Sequence, residues 1–195
     1  MKIGITGNIG SGKSTFSGFA EEAGFPVLKA DDISKKVLEN DAAVRSAVKK
    51  EFGEKSFKDG KPNKPFLAKE VFSKTSKLQA LENILHPVVI KSINKSIMGL
   101  LNKHSVVFVE AALIYEANIE NIFDYTVLIT SERSNRLKRK IAIGLSEEDF
   151  IKRELNQIPE EEKKKRADFI FSNDSTINDL KMKYSLMLLT LGLNK

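Results

Sequence analysis

The run Gly7-Asn8-Ile9-Gly10-Ser11-Gly12-Lys13-Ser14 is the feature that leaves this chain the fewest folds. It follows a short strand pattern over Lys2–Thr6 and precedes an apolar helical pattern through Phe16, Phe19 and Ala20 that Gly24 ends. A glycine, four residues and Gly-Lys-Ser between a strand and a helix is the Walker A pattern. Its glycines let successive backbone N–H groups turn inward around a phosphate chain, which a Cβ would obstruct. Lys13 is placed to reach the β- and γ-phosphates, Ser14 to hold Mg²⁺ through its hydroxyl, and the following helix adds its positive N-terminal end. Phosphate binding is expected, and the motif alone leaves a kinase, a GTP-driven switch and an ATP-driven motor open.

Composition removes several of these classes. The chain has 195 residues, the size of one globular domain or of a core carrying an insertion, so a large motor does not fit easily. No Asn-Lys-x-Asp sequence for guanine occurs. With no cysteine and only His86 and His104 as imidazole ligands, thiolate chemistry and multi-histidine metal sites are excluded, and any metal is expected on oxygen ligands, as Mg²⁺ is. The N-terminus enters a strand pattern instead of a signal-peptide core, so the chain is read as cytoplasmic, with no membrane association. The formal net charge of +6 attracts anions, whether nucleic acid, acidic lipid or a phosphorylated metabolite. Residues 133–166 hold 11 basic and 7 acidic residues, which puts most of that excess in one segment and favours a polyphosphate.

Strand character at Pro26–Leu28, Ser105–Glu110, Tyr125–Thr130 and Phe169–Ser172 brackets a helical middle over Ala43–Phe52, Phe66–Phe72, Thr75–Leu85 and Val88–Leu101. The segment Phe57–Pro65 reads as an exposed loop, Glu160–Arg166 as a short helix after Pro159, and Ile177–Leu191 as the last helix. The pattern is that of an α/β core with a helical insertion. A small-molecule kinase becomes the leading class. A basic nucleic-acid-binding protein that uses ATP only as a regulator is the reading from a different class, and no nucleic-acid motif supports it.

Longer matches then enter. Ile5–Thr15, Ala30-Asp31, Leu85-His86-Pro87, Glu110-Ala111-Ala112-Leu113-Ile114-Tyr115-Glu116, Gly144-Leu145-Ser146, Arg153 with Gln157, Glu161-Glu162-Lys163, Ala167-Asp168 and Asn173 occur in the order and spacing of the dephospho-coenzyme A kinases, which the chain resembles over nearly its whole length. It departs at Asn8, where a second glycine is usual, and at Lys29, Glu110 and Ala112, which replace Asp, Asp and Pro. Ala142-Ile143 stands where a second lid arginine is usual. The resemblance implies a P-loop kinase fold: a five-stranded parallel sheet flanked by helices, with an inserted helical substrate domain and a mobile lid. The expected boundaries are approximately 1–31, 104–131 and 167–195 for the nucleotide-binding core, 32–103 for the insertion and 132–166 for the lid. It also implies transfer of the ATP γ-phosphate to the ribose 3′-hydroxyl of dephospho-coenzyme A, with ATP and Mg²⁺ and no obligate protein partner. Another P-loop small-molecule kinase, acting on a nucleoside or nucleotide, is the alternative.

Candidate roles follow, each beside a plainer one. Gly10, Ser11, Gly12, Lys13, Ser14 and Thr15 are expected on ATP, with Lys13 also catalytic. Asp31, just past the second strand, either accepts or orients the acceptor hydroxyl proton or caps the helix beginning at Asp32; the resemblance favours the substrate, and Asp32 is the better cap. Glu110, at a strand end, either holds the Mg²⁺ shell with Ser14 or is a solvated acid. Arg136 and Arg139 lie three apart on one helical face, which either closes over ATP, with Arg139 on the transferring phosphoryl group, or is a solvated basic face. The resemblance assigns Asn173 to ATP and Glu116 and His86 to the substrate, against a surface acid and a histidine packed at a helix boundary. His104 is expected at the surface, and Phe52, Phe66 and Phe72 in the core or along a pantetheine groove.

Overall fold

The structure is a computed structural model that describes residues 1–193, the side chains of Phe72, Ser73 and Thr75 excepted. The elements run β1 (Lys2–Thr6), α1 (Lys13–Glu22), β2 (Val27–Lys29), α2 (Ala30–Asn40), α3 (Ala42–Phe52), β3 (Phe57–Lys58), β4 (Lys61–Pro62), α4 (Lys64–Ser73) and α5 (Thr75–Leu101). They continue β5 (Val107–Glu110), β6 (Tyr125–Thr130), α6 (Arg133–Ile141), α7 (Glu147–Leu155), α8 (Glu160–Lys164), β7 (Phe169–Ser172) and α9 (Ile177–Thr190). They form two compact units, residues 1–28 with 97–195, and residues 29–96.

The first unit carries a parallel sheet in the order β2-β5-β1-β6-β7. Alternation along β1 sends Ile3 and Ile5 to one face, where they are fully buried with Phe16, Phe19 and Ala20 of α1, Phe108 of β5 and Leu180, Tyr184 and Met187 of α9. Each of these large side chains contributes about 1.5–3 kcal/mol by leaving water. Burial also pushes the Tyr184 phenol up to about 12. On the other face Gly4 leaves room for Phe123 and Ile114, whose side chains a Cβ would meet at 2.8 and 2.9 Å. The chain visits both sides of β1, so the loop after β1 opens at the carboxyl end of the central strand, the ligand position of open α/β sheets.

The second unit is helical. Val37, Val44, Val48, Phe52, Leu67, Val71, Val89 and Ile93 are buried there. Phe66 is half-buried, and the Phe72 side chain lies outside the described residues. Asp41 caps α3 by accepting from the Val44 N–H at 3.0 Å, and Asn63 caps α4 from Phe66 at 3.3 Å.

Two elements differ from the sequence expectation. The segment Phe57–Pro65 is not all loop: β3 and β4 pair antiparallel through Asp59 and Gly60, both at positive φ, the conformation of a tight hairpin turn. The two helices expected around Pro87 are one, α5. Proline removes one helical hydrogen bond, but burial of Val89, Ile93 and Ile97 beyond it holds the helix on. Residues 76–101 have the length and composition to cross a bilayer, yet these three apolar side chains are covered by protein. The two units divide at 28/29 and 96/97, where β2 passes into α2 and where the last turn of α5 begins. Residues 132–166 do not separate from the first unit.

Candidate active site

The loop between β1 and α1 is held from outside by side chains that come from far along the chain. Ser11 N–H donates to the Asn8 carbonyl at 3.1 Å, closing the turn. Asn173, just past β7, donates through Nδ2 to the Ser11 carbonyl at 2.8 Å. Arg136 and Arg139 of α6 donate to the Ile9 and Gly10 carbonyls, each at 3.3 Å. Ile9 N–H donates to Gln157 Oε1 at 2.8 Å. Gly10 and Gly12 have φ of 80° and 102°; a Cβ at the first would stand 2.5 Å from the Arg136 carbonyl oxygen, and one at the second would overlap the Asn173 amide. The glycines thus serve the packing of the loop against α6 and Asn173 as well as its curl.

Lys13 Nζ lies on the loop, donating to the Gly7 carbonyl at 2.7 Å and to that of Asn8 at 3.2 Å. Ser14 Oγ donates to Glu110 Oε1 at 2.6 Å, and Ser17 Oγ, one turn later on α1, donates to Oε2 at 2.7 Å. Glu110 ends β5, the neighbour of β1, so sheet order sets its carboxylate against the first turn of α1. A hydroxyl whose proton is committed to a carboxylate keeps its lone pairs available, and hydroxyl with carboxylate is an oxygen donor pair of the kind Mg²⁺ takes beside phosphates. Among the described residues no group of three or more His, Asp or Glu could hold a metal, and a phosphate-shared Mg²⁺ does not require one.

A pocket over the loop is lined by Lys13, Ser14, Thr15, Arg139, Lys140 and Ile143. Arg139 reaches it while also donating to Ser131 Oγ at 3.0 Å and to the Asn173 carbonyl. Arg136 does not line it. This guanidinium is buried, with Nε on the Ser131 carbonyl at 3.0 Å, Nη2 on Glu154 Oε1 at 2.8 Å, and Phe150 under its plane. The two arginines share a helix but not an environment. Asp174, an exposed residue, accepts from Ser131 Oγ, Glu132 N–H, Asn135 Nδ2 and Ser172 Oγ. Partial burial alone would raise its carboxyl pKa, but these donors bring it down to about 2.

Residues 1–179 match the family model described as dephospho-CoA kinase.

The chain belongs to the dephospho-CoA kinase family.

It is 37% identical over 179 residues to the dephospho-CoA kinase of Thermus thermophilus, a match spanning 91% of this chain and 85% of that protein. Among solved structures it is similar to a Thermus thermophilus crystal structure with a TM-score of 0.84 at 35% identity, covering 100% of this chain and 98% of that one. It is also similar to the dephospho-CoA kinase from Campylobacter jejuni, with a TM-score of 0.72 at 31% identity and 98% of each chain covered. The fold is that of the P-loop kinases.

The remaining candidates of this dephospho-CoA kinase family member are placed as follows. Asp31 is exposed in the first turn of α2, whose N-cap position is Lys29, so neither Asp31 nor Asp32 caps the helix. Asp32 pairs instead with Lys35 at 2.8 Å, which lowers its own pKa and raises that of Lys35. His86 is half-buried in the middle of α5, not at a helix boundary, and His104 is exposed. Glu116 is no surface acid: Oε1 meets Lys163 Nζ at 2.7 Å and accepts from Ile158 N–H at 3.1 Å. Lys163 is fully buried, and burial pulls its ammonium pKa down while Glu116 holds it up.

Four contributors were not singled out from sequence. Ser17 stands one helical turn beyond Ser14, a spacing that could have flagged it. Gln157 and Lys163 were visible only as parts of the family pattern, and Asp174 carried no signal.

Proposed function

We propose a division of labour among these residues for the reaction of the family, ATP-dependent phosphorylation of the ribose 3′-hydroxyl of dephospho-coenzyme A, which completes coenzyme A synthesis. The observation that carries it is the family match over residues 1–179, with an unbroken phosphate loop whose Ser14 is bonded to Glu110. Backbone N–H groups of Gly10 to Thr15 receive the ATP phosphates, and Lys13 and Arg139 neutralise charge that spreads over the transferring phosphoryl oxygens. Ser14 and Glu110 hold Mg²⁺, which when bound supplies charge neutralisation on the β- and γ-phosphates.

Asp31 accepts the proton of the 3′-hydroxyl as its oxygen bonds the γ-phosphorus and the bond to the ADP oxygen breaks. Its exposure, and the fact that it does not cap α2, support this role. Arg136 and Asn173 support ATP binding from behind the loop. Glu116 serves the acceptor side by fixing the chain after β5, and His86 lies on the helical unit that takes dephospho-coenzyme A. The kinase family and its metabolite substrates support a cytoplasmic setting. Initial rates of ADP formation with dephospho-coenzyme A against a panel of nucleosides test the reading. Preference for dephospho-coenzyme A is expected, and preference for a nucleoside would sink it.

A further inference from the structure

Gln157 belongs to no helix; it lies between α7 and α8, at the end of the lid segment. Its side-chain amide nevertheless reaches two other stretches of chain. Oε1 accepts from Ile9 N–H in the phosphate loop at 2.8 Å, and Nε2 donates to the Ala112 carbonyl after β5 at 3.4 Å. The residues on either side of it are tied down as well. Gln157 N–H donates to the Glu154 carbonyl at 3.0 Å, and the Glu154 carboxylate is held by Arg133 Nε and Arg136 Nη2, each at 2.8 Å. Ile158 N–H donates to Glu116, which carries the fully buried Lys163.

We infer that Gln157 is a positioning residue for ATP: it sets the Ile9 peptide, and through that peptide the inward turn of the N–H groups that follow. With Ile9 N–H held by Gln157 and Ile9 carbonyl held by Arg136, both backbone groups of Ile9 are bonded to protein, which leaves the N–H groups after it to the phosphates. A neutral amide is the group that meets both partners, because it offers one acceptor and one donor without placing charge beside the phosphates. Glutamate would keep the acceptor for Ile9, set an oxygen against the Ala112 carbonyl and add a negative charge. Methionine would keep the length and lose both bonds.

The inference rests on the reading of the loop as the ATP site. Its test compares wild type, Gln157→Met and Gln157→Glu by calorimetric titration with ADP, by KM for ATP and for dephospho-coenzyme A, and by thermal unfolding. Losing hydrogen bonds of this kind should weaken ADP binding and raise the ATP KM about fivefold to tenfold in Gln157→Met, and more in Gln157→Glu. The KM for dephospho-coenzyme A should stay within about twofold, since a general loosening would move both. Should Gln157→Met not fold, Gln157→Glu, closer in shape to glutamine, is read by the same criteria. ADP bound equally by wild type and variants, or both KM values rising together with a fall in Tm, overturns the inference alone. A wild type that binds no ADP overturns the ATP-site reading and the inference with it.

Discussion

Ser14 and Glu110 stand 96 residues apart in the chain and share a hydrogen bond of 2.6 Å, one at the start of α1 and the other at the end of β5. Pairing of β1 with β5 creates the contact, so the fold itself assembles the oxygen pair proposed for Mg²⁺. Glu110→Gln keeps the volume and removes the charge. It should raise the Mg²⁺ concentration for half-maximal rate about tenfold, read from initial rates across a Mg²⁺ series. An unchanged Mg²⁺ requirement would reduce Glu110 to a structural acceptor for Ser14 and Ser17.

Asp31→Asn removes the carboxylate proposed as the base and leaves α2 intact, because the N-cap position is Lys29. Turnover should fall by about 10²–10⁴-fold with the ATP KM and Tm nearly unchanged. Activity within a factor of a few would limit Asp31 to orienting the hydroxyl.

Arg139→Ala and Arg136→Ala should separate cleanly. Arg139 lines the pocket over the loop, so its loss should lower turnover more than it weakens ADP binding in a titration. Arg136 is buried against Glu154, and its loss leaves that carboxylate with Arg133 alone and takes a donor from the Ser131 carbonyl. Stability should drop by about 2–4 kcal/mol in a denaturant melt. Equal effects of the two variants on Tm would contradict the distinction.

The Asp174 carboxyl is held at about 2 against a reference of 3.8. A folded-state pKa below the unfolded one gives stability that is full above about pH 4 and is lost as pH falls toward about 2. The Tm gap between wild type and Asp174→Ala should therefore be widest near neutrality and narrow through that window. A gap independent of pH would mean that the charge of Asp174 is not what holds Ser131 and Asn135.

The sheet and the loop were legible because their signals are local. Lys2–Thr6 and Tyr125–Thr130 are runs of β-prone residues with the observed bounds, and the glycines of the loop announce themselves. What the sequence hid depended on neighbours distant in the chain. Arg136 and Arg139 look equivalent on a helical wheel, yet Glu154 and Phe150 bury one while the other reaches the pocket. Glu116 looks like a loop acid until Lys163 arrives from 47 residues on. Pro87 read as a helix break because its local cost is visible and the burial of Val89 and Ile93 is not. The hairpin at Asp59-Gly60 was missed because two-residue strands carry no periodicity to read.

The phosphate loop is proposed to serve transfer to the 3′-hydroxyl of dephospho-coenzyme A. Incubation of the protein with ATP, Mg²⁺ and dephospho-coenzyme A, followed by mass spectrometry and phosphorus NMR of the acceptor, reads that transfer at the atom it concerns. One added phosphoryl group on the ribose 3′-oxygen, formed in step with ADP, is the predicted result. ADP released with dephospho-coenzyme A unchanged, or a phosphoryl group at another position, would contradict it.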